Sequence, residues 1–213
     1  MRSYEQYCAL AKALDVIGDR WTLLIVRELL ILGSCRYTDL RNGLPGIATN
    51  LLADRLRELE QAGIVYHEYA PPPVATTLFH LTGRGKELEA VVRQLARWGA
   101  PLLAKSGRKD AFHIHWLTLP LKFHLVDQAP ERRPVTIELR VGDESLTIEA
   151  IGGAIRTHPG PAQQPDAVLT GTPQLVLHLL LGKLDLENAR AAGLKYEGDP
   201  AVLRRVQARS ASF

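Results

Sequence analysis

The hydrophobic period of this 213-residue chain changes at Gly63 from helical to extended. Before Gly63, apolar residues recur every three to four positions, and after it they alternate on either side of Pro71, Pro72 and Pro73. These periods belong to helices and strands respectively. We predict helices at about 8–17, 20–32 (capped by Asp19), 37–44 and 49–62, and strands at 64–69 and 76–81. Short helices followed by a two-stranded hairpin are the layout of a winged helix-turn-helix domain.

The helix predicted at 49–62 has two distinct faces. Leu52, Leu56 and Leu59 recur at helical spacing, and we expect them to point into the domain. The residues of the opposite face are Thr49, Asn50, Ala53, Asp54 and Arg57. A winged helix presents this face to the major groove of duplex DNA, where free N–H groups at the helix start and an arginine suit phosphates and base edges. The same face also fits plain solvent exposure, and periodicity does not separate the two interpretations.

A long helix is predicted after the hairpin, with Thr82 as its N-cap. Its apolar residues form a continuous stripe made of Leu88, Val91, Leu95, Trp98 and Leu102. One recognition helix contacts only a few base pairs, so two half-sites bound by two copies are the usual arrangement. We therefore expect a homodimer with this stripe and the first helix at its interface. The alternative is that the stripe packs inside its own domain.

The polar stretch at 105–109 separates two halves, and we predict domains at 1–107 and 108–213. In the second half the pattern predicts a helical segment at about 110–127 interrupted by Pro120, strands at 135–141, 146–148, 154–157 and 167–170, and helices at 173–182 and 200–208. Strands with one apolar face beside leucine-rich helices predict a smaller α+β domain, so the whole chain is assigned to the α+β class. Such a domain has either a filled core or a pocket, and the pattern fits both.

Composition and motifs narrow the function class. The formal net charge of +3 is small for a nucleic-acid binder, so any positive surface must be gathered locally by the fold. The sequence has no glycine-rich phosphate loop, no nucleophile elbow and no cofactor fingerprint, and we expect no enzyme and no cofactor. His113, His115 and His124 lack accompanying cysteines or clustered carboxylates, and no metal site is expected.

Cellular location is predicted from the cysteines and the apolar runs. Two cysteines, Cys8 and Cys35, cannot form a disulfide framework and fit a reducing compartment. No stretch approaches the roughly 20 unbroken apolar residues of a membrane span, and no secretory signal is recognisable. We therefore expect a cytoplasmic protein without a membrane partner.

Five segments of the first half resemble the HxlR-type branch of the MarR-like winged-helix regulators. They are DVIGDRWTLLI at 15–25, RYTDL at 36–40, PGI at 45–47, LADRLRELE at 52–60 and LTGRG at 81–85. The resemblance covers roughly residues 7–104. It implies a homodimer that binds double-stranded DNA and regulates transcription, and it adds Arg36 and Arg84 to the expected DNA-binding residues.

Two positions depart from that family. Ala48-Thr49 stands where the family usually has Ser-Pro, and Pro73 stands where the wing usually has arginine. Arg84 is the expected substitute for the missing wing charge. The resemblance also draws attention to Cys8, because some HxlR-type regulators sense oxidants or electrophiles through an N-terminal cysteine near this position. An inert, half-buried thiol is the alternative.

The second half resembles sterol-carrier-protein-like domains over about 110–208. The resemblance rests on residues 136–141, 166–171, 179–184 and 194–200. It implies an apolar or amphipathic ligand held between the sheet and its helices. The candidate lining residues are Phe112, Trp116, Leu119, Leu175 and Leu179.

Together these observations predict a homodimeric DNA-binding transcription regulator, a repressor, controlled by an apolar small molecule in its C-terminal domain. Two alternatives stay open at this point. One is an apolar-ligand carrier or sensor whose DNA-binding half has weakened, as the lost wing arginine would indicate. The other is a thiol-based redox regulator acting through Cys8.

Overall fold

The computed structural model describes residues 3–73, 75–105 and 110–208. The chain divides into two compact units, Met1–Ala111 and Phe112–Phe213, each with its own core. Both units contain helices and strands, which confirms the predicted α+β class. The predicted domain boundary between residues 107 and 108 lies outside the described residues and stays a prediction.

The first unit is a set of helices with a small antiparallel sheet. Its elements are α1 (Ala9–Ile17), α2 (Thr22–Leu32), β1 (Ser34–Arg36), α3 (Tyr37–Asn42), α4 (Thr49–Gln61), β2 (Val65–Ala70), β3 (Thr76–Leu81) and α5 (Gly83–Gly99), followed by a 3₁₀ segment (Ala100–Lys105). The strand order is β1-β3-β2. The predicted helices, the hairpin and the cap at Thr82, whose hydroxyl accepts the N–H of Gly85, are all present.

Helices α2 and α4 contribute more buried apolar side chains to the core of the first unit than any other element. Ile25, Val26 and Leu29 of α2 are almost completely buried, together with Leu52 and Leu59 of α4. The apolar spacing of these two helices therefore determines which face each one turns inward, as the sequence predicts.

Three local predictions for the first unit are wrong. Cys35 lies between the helices predicted at 20–32 and 37–44, where no strand was predicted, but it is buried in β1, a strand of three residues, opposite Phe79 of β3. Asp19 does not cap α2; the N-cap is Trp21, while the Asp19 carboxylate pairs with Arg55 of α4. Finally, α3 ends at Asn42 rather than at residue 44.

The second unit has a five-stranded mixed sheet of order β7-β6-β5-β8-β9, in which only β5 and β8 are parallel. A 3₁₀ segment (Ile114–Leu117) opens the unit. The remaining elements are α6 (Thr118–His124), β4 (Leu125–Asp127), β5 (Val135–Val141), β6 (Glu144–Ile151), β7 (Ala154–Pro159), β8 (Ala167–Thr170), α7 (Pro173–Leu180), α8 (Leu186–Ala191), β9 (Lys195–Gly198), α9 (Pro200–Arg205) and β10 (Val206–Ala208). Strands β4 and β10 pair separately.

The predicted helical segment at 110–127 is corrected to a 3₁₀ segment, the short helix α6 and strand β4. Pro120 does not interrupt a helix, because it is the third residue of α6, where a missing N–H removes no intrahelical bond. The predicted helix at 200–208 ends at Arg205, and its last three residues form β10. Helix α7 likewise ends at Leu180 rather than at residue 182. Helix α8 and strand β9 were not predicted.

A buried ion pair fixes the end of α9 to β4. The Arg205 guanidinium donates to both carboxylate oxygens of Asp127, from Nε at 2.7 Å and from Nη2 at 3.0 Å. Its Nη1 donates to the carbonyl of Arg133 at 2.5 Å. Asp127 also accepts the N–H groups of Ala129 and Gly153. The pair thus joins three segments of the second unit that are distant in sequence: residues 127–133, the turn at Gly153 and the end of α9.

Among the described residues, the helices are too short or too polar for any of them to cross a membrane.

Candidate nucleic-acid interface

Helix α4 places the predicted DNA-binding residues on one side. Leu52, Leu56 and Leu59 are buried, which turns the opposite side of the helix toward water. Thr49, Asn50 and Arg57 are exposed, and Ala53 and Asp54 are half-buried. The five residues therefore share the outward face, and the small side chain of Ala53 leaves the middle of that face open to close approach.

The start of α4 is held by α3. The Tyr37 hydroxyl, at the first residue of α3, donates to the main-chain carbonyl of Thr49 at 2.5 Å. The N-cap of α4 is Ala48, whose side chain cannot accept a hydrogen bond. Asn50 compensates in part, because its Oδ1 accepts the N–H of Leu51. The first turn thus retains N–H groups and a positive dipole end that suit an anion such as a DNA phosphate.

Arg57 carries the positive charge of this face. It pairs with Asp54 one turn earlier, and the two side chains are 70% and 50% exposed. An ion pair this exposed contributes at most about 1 kcal/mol, so Arg57 can exchange the carboxylate for a phosphate or a guanine edge at little cost.

Arg36 and Arg84 lie on helices other than α4 or at their caps. Arg36 is the exposed N-cap of α3, where its N–H donates to Asp39. Arg84 opens α5, and its guanidinium donates to the carbonyl of Ala62, immediately after the last residue of α4. A helix of this length separates Arg84 from Thr49 by about 20 Å. Arg84 therefore lies near the opposite end of α4 from Thr49.

The hairpin of β2 and β3 projects as a wing. Four successive residues of β2 are exposed, so both of its faces meet water over that length. Pro71, Pro72 and Pro73 are exposed at the tip. Sequence reasoning missed Tyr66 and Tyr69, the exposed aromatic side chains of β2. The Tyr66 ring stacks on His80 of β3, with ring centroids 4.9 Å apart.

The second unit contains a half-open cavity of about 460 Å³ among the ends of α7, α9 and β10 and the start of α8. Its lining is mostly apolar and includes Leu179 and Leu203, with Asp185, Arg204 and Gln207 as the polar side chains.

The five predicted lining residues do not line this cavity as a group. Leu179 lines the cavity, whereas Phe112 and Leu175 pack against the core of the unit and Leu119 is buried. Trp116 lies edge-on to Phe112, with ring centroids 6.5 Å apart.

Comparison with known proteins identifies both units. Residues 16–106 match the HxlR-like helix-turn-helix family, and residues 129–209 match the SCP-2 sterol transfer family. The chain is 34% identical over 87 residues to YvaP of Bacillus subtilis (strain 168), an uncharacterized HTH-type transcriptional regulator; the match covers 41% of this chain and 80% of YvaP. It is also 34% identical over 86 residues to the HTH-type transcriptional regulator YodB of the same organism, covering 40% of this chain and 76% of YodB.

The chain belongs to the HxlR-like helix-turn-helix family. Its second unit is an SCP-2 domain. The solved structure of the reduced form of YodB from B. subtilis is 29% identical and covers 48% of this chain and 100% of YodB, with a TM-score of 0.41. Since the family consists of HTH-type transcriptional regulators, the protein is a DNA-binding regulator and not an enzyme.

The two cysteines of this HxlR-like protein lie in different environments. Cys8 is the exposed N-cap of α1 and stays a redox candidate. Cys35 is buried, and burial, with smaller contributions from Asp39 and Glu28, raises its pKa to about 12. Cys35 is therefore a protonated core thiol at neutral pH and an unsuitable nucleophile.

The histidines at the start of the SCP-2 domain form a stack. His113 precedes the 3₁₀ segment in an extended conformation, so its ring stacks on His115 with centroids 5.4 Å apart. On a helix, by contrast, rings two positions apart would point to different faces. His113 Nδ1 lies 2.9 Å from Glu144. In the described parts of the chain, no group of three metal-binding side chains is suitably placed.

Proposed function

We propose that this HxlR-like protein is a homodimeric repressor that inserts α4 of each protomer into the major groove of an operator. An apolar or amphipathic small molecule bound in the SCP-2 domain controls it. The observation that carries the proposal is the outward face of α4. Its first turn has no side-chain N-cap, Ala53 is small, and Arg57 is exposed. A dimer seated on an operator excludes other proteins from that duplex, which is the basis for assigning it a repressor role.

The exposed apolar side chains of α5 and α1 support the homodimer. Leu95 and Trp98 of α5 are 47% and 75% exposed, and Leu10 of α1 is 67% exposed. Leu88, by contrast, packs against the core of its own unit. Apolar patches of this kind mark interaction surfaces in proteins. A second copy of the same chain buries them most economically, because a two-fold interface uses one patch twice.

Replacing Leu95 with aspartate tests the dimer. We expect the variant to sediment as a monomer at micromolar concentration, because each interface would bury two unpaired charges. Its affinity for a duplex selected by the parent protein falls about 100-fold or more, since the second half-site no longer binds in the same complex. The matched control is Ala96→Asp, which places the same charge about 100° around α5. A monomeric parent protein, or equal effects of both variants, contradicts the dimer.

The cavity of the SCP-2 domain supports the proposed effector. Its volume of about 460 Å³ lies within the range of small-molecule pockets, and its apolar lining with three polar side chains fits an apolar or amphipathic molecule. We expect mass spectrometry of protein purified without detergent to detect such a molecule. Leu203→Trp, which fills the cavity, is expected to lose it, and adding the molecule back should change the affinity of the parent for DNA. An empty extract contradicts effector control.

A further inference from the structure

Arg55 of α4 lies on neither the core face nor the outward face of the helix. Its side chain is 18% exposed, and its Nη1 contacts two carboxylates, those of Asp19 and Glu58. The Nε–H group is buried and, among the described residues, has no hydrogen-bond acceptor. Glu58 lies on the same helix, 2.6 Å away, whereas Asp19 lies 36 positions earlier in the chain. Of the two contacts of Arg55, the one with Asp19 therefore ties α4 to the turn before α2.

Asp19 lies in the turn between α1 and α2. Gly18 ends α1 by donating its N–H to the Leu14 carbonyl at 2.9 Å, and Asp19 follows directly. Two residues later, Trp21 adopts φ +81°, a left-handed conformation that is costly for a non-glycine residue. The Trp21 ring packs against the core, with Cη2 4.0 Å from where a Cβ on Gly46 would stand, in the turn before α4. The turn after α1 thus has two contacts in this region. Asp19 contacts Arg55 of α4, and Trp21 lies near Gly46 in the turn before α4.

We propose that Asp19 and Arg55 are positioning residues that fix the orientation of α4 relative to the end of α1, and that Arg55 acts on DNA binding without touching DNA. The inference rests on the proposed function, in which α4 reads the operator and α1 lies at the dimer interface. The exposed apolar face of α1 then packs at the dimer interface. The Asp19–Arg55 contact fixes the orientation of α4 relative to the end of α1.

The alternative role for Arg55 is a direct contact with a DNA phosphate. Removing the Asp19 and Glu58 carboxylates one at a time distinguishes the two roles. Asp19 and Glu58 each neutralise part of the Arg55 charge. If Arg55 contacts a phosphate, removal of either carboxylate frees the arginine and raises the affinity for any duplex. If Arg55 positions α4, loss of Asp19 lowers the affinity for the selected sequence alone, and loss of Glu58 does not.

The test compares Asp19→Asn with Glu58→Gln in the full chain. Two 25-bp probes are used: a duplex selected from a random pool by the parent protein, and a mixed-sequence duplex of equal length. We expect Asp19→Asn to lower the affinity for the selected duplex about five- to 100-fold, which corresponds to one misaligned base contact. The affinity of Asp19→Asn for the mixed-sequence duplex stays equal to that of the parent or rises. For Glu58→Gln, the ratio of selected-duplex affinity to mixed-duplex affinity stays within about twofold of the parent ratio.

Arg55→Lys provides a second variant that keeps the charge while losing the guanidinium geometry. If Arg55 positions α4, the ratio of selected-duplex to mixed-duplex affinity falls for this variant too. If Arg55 contacts a phosphate, that ratio stays close to the parent value. Equal effects of Asp19→Asn and Glu58→Gln, or a selected-duplex affinity that Asp19→Asn does not lower, overturn the positioning role while the proposed function stands. A parent protein that selects no duplex overturns the proposed function and this inference together.

Discussion

Replacing Arg57 with alanine is expected to abolish sequence-specific DNA binding. A bidentate arginine contact with a guanine discriminates by about 1–3 kcal/mol, and a homodimer makes it twice. The selected duplex is therefore expected to lose about 2–6 kcal/mol, or at least about 30-fold in affinity. The loss of the Asp54 partner offsets little of this, since both side chains are half or more exposed. A gel-shift titration at fixed salt measures the effect.

The control for Arg57→Ala is Arg97→Ala. Arg97 is an exposed arginine in the last turn of α5, and its removal changes the net charge by the same amount. We expect this control to weaken binding to all duplexes slightly and equally. A harmless Arg57→Ala variant shows that α4 does not read the operator through this residue.

Replacing Arg205 with methionine is expected to destabilise the SCP-2 domain by about 3–5 kcal/mol, because a buried carboxylate then loses its charged partner. The Asp127 side chain is completely inaccessible to water and the Arg205 side chain nearly so. Denaturant unfolding followed by circular dichroism measures the loss. Arg132→Met removes a neighbouring arginine that is 75% exposed, and it is expected to change stability by less than about 0.5 kcal/mol.

A double variant separates charge from packing at this pair. If the loss arises from the unpaired Asp127 carboxylate, Asp127→Leu combined with Arg205→Met recovers most of the stability, as apolar replacements of buried pairs often do. A single Arg205→Met variant as stable as the parent contradicts the role given to the pair.

The same pair gives the SCP-2 domain a defined acid sensitivity. The hydrogen bonds from Arg205 lower the pKa of Asp127 from 3.8 to about 2. Because the pKa is lower in the folded state, the stabilisation is present above about pH 4 and is lost as pH falls toward 2. Unfolding of the parent measured between pH 5 and pH 2 shows this loss, and Arg205→Met is expected to remove that part of the pH dependence.

Long periodic segments were predictable from the sequence. The inward leucines of α4, the hairpin around the prolines, the cap at Thr82 and strand β5 each depend on local spacing, so tertiary contacts only confirmed them. The outward-facing side chains of α4 were predictable for the same reason, since a helix that buries Leu52 and Leu56 exposes Arg57.

Features decided by distant contacts were not predictable. Strand β1 has three residues, too few to show alternation, and exists because β3 pairs with it. Asp19 has the chemistry of an N-cap but is drawn to Arg55. The lining of a cavity and the filling of a core use the same apolar side chains, which is why Leu179 and Leu175 looked alike in sequence although only Leu179 lines the cavity.

The stoichiometry of the parent protein on a duplex that it selects from a random pool tests the DNA-binding dimer most directly. Sedimentation of the complex is expected to give two protomers per duplex, and the selected sequences are expected to be palindromic, with half-sites about 10 bp apart from centre to centre or a multiple of that spacing. One protomer per duplex, or a pool from which the protein selects no sequence, would contradict it.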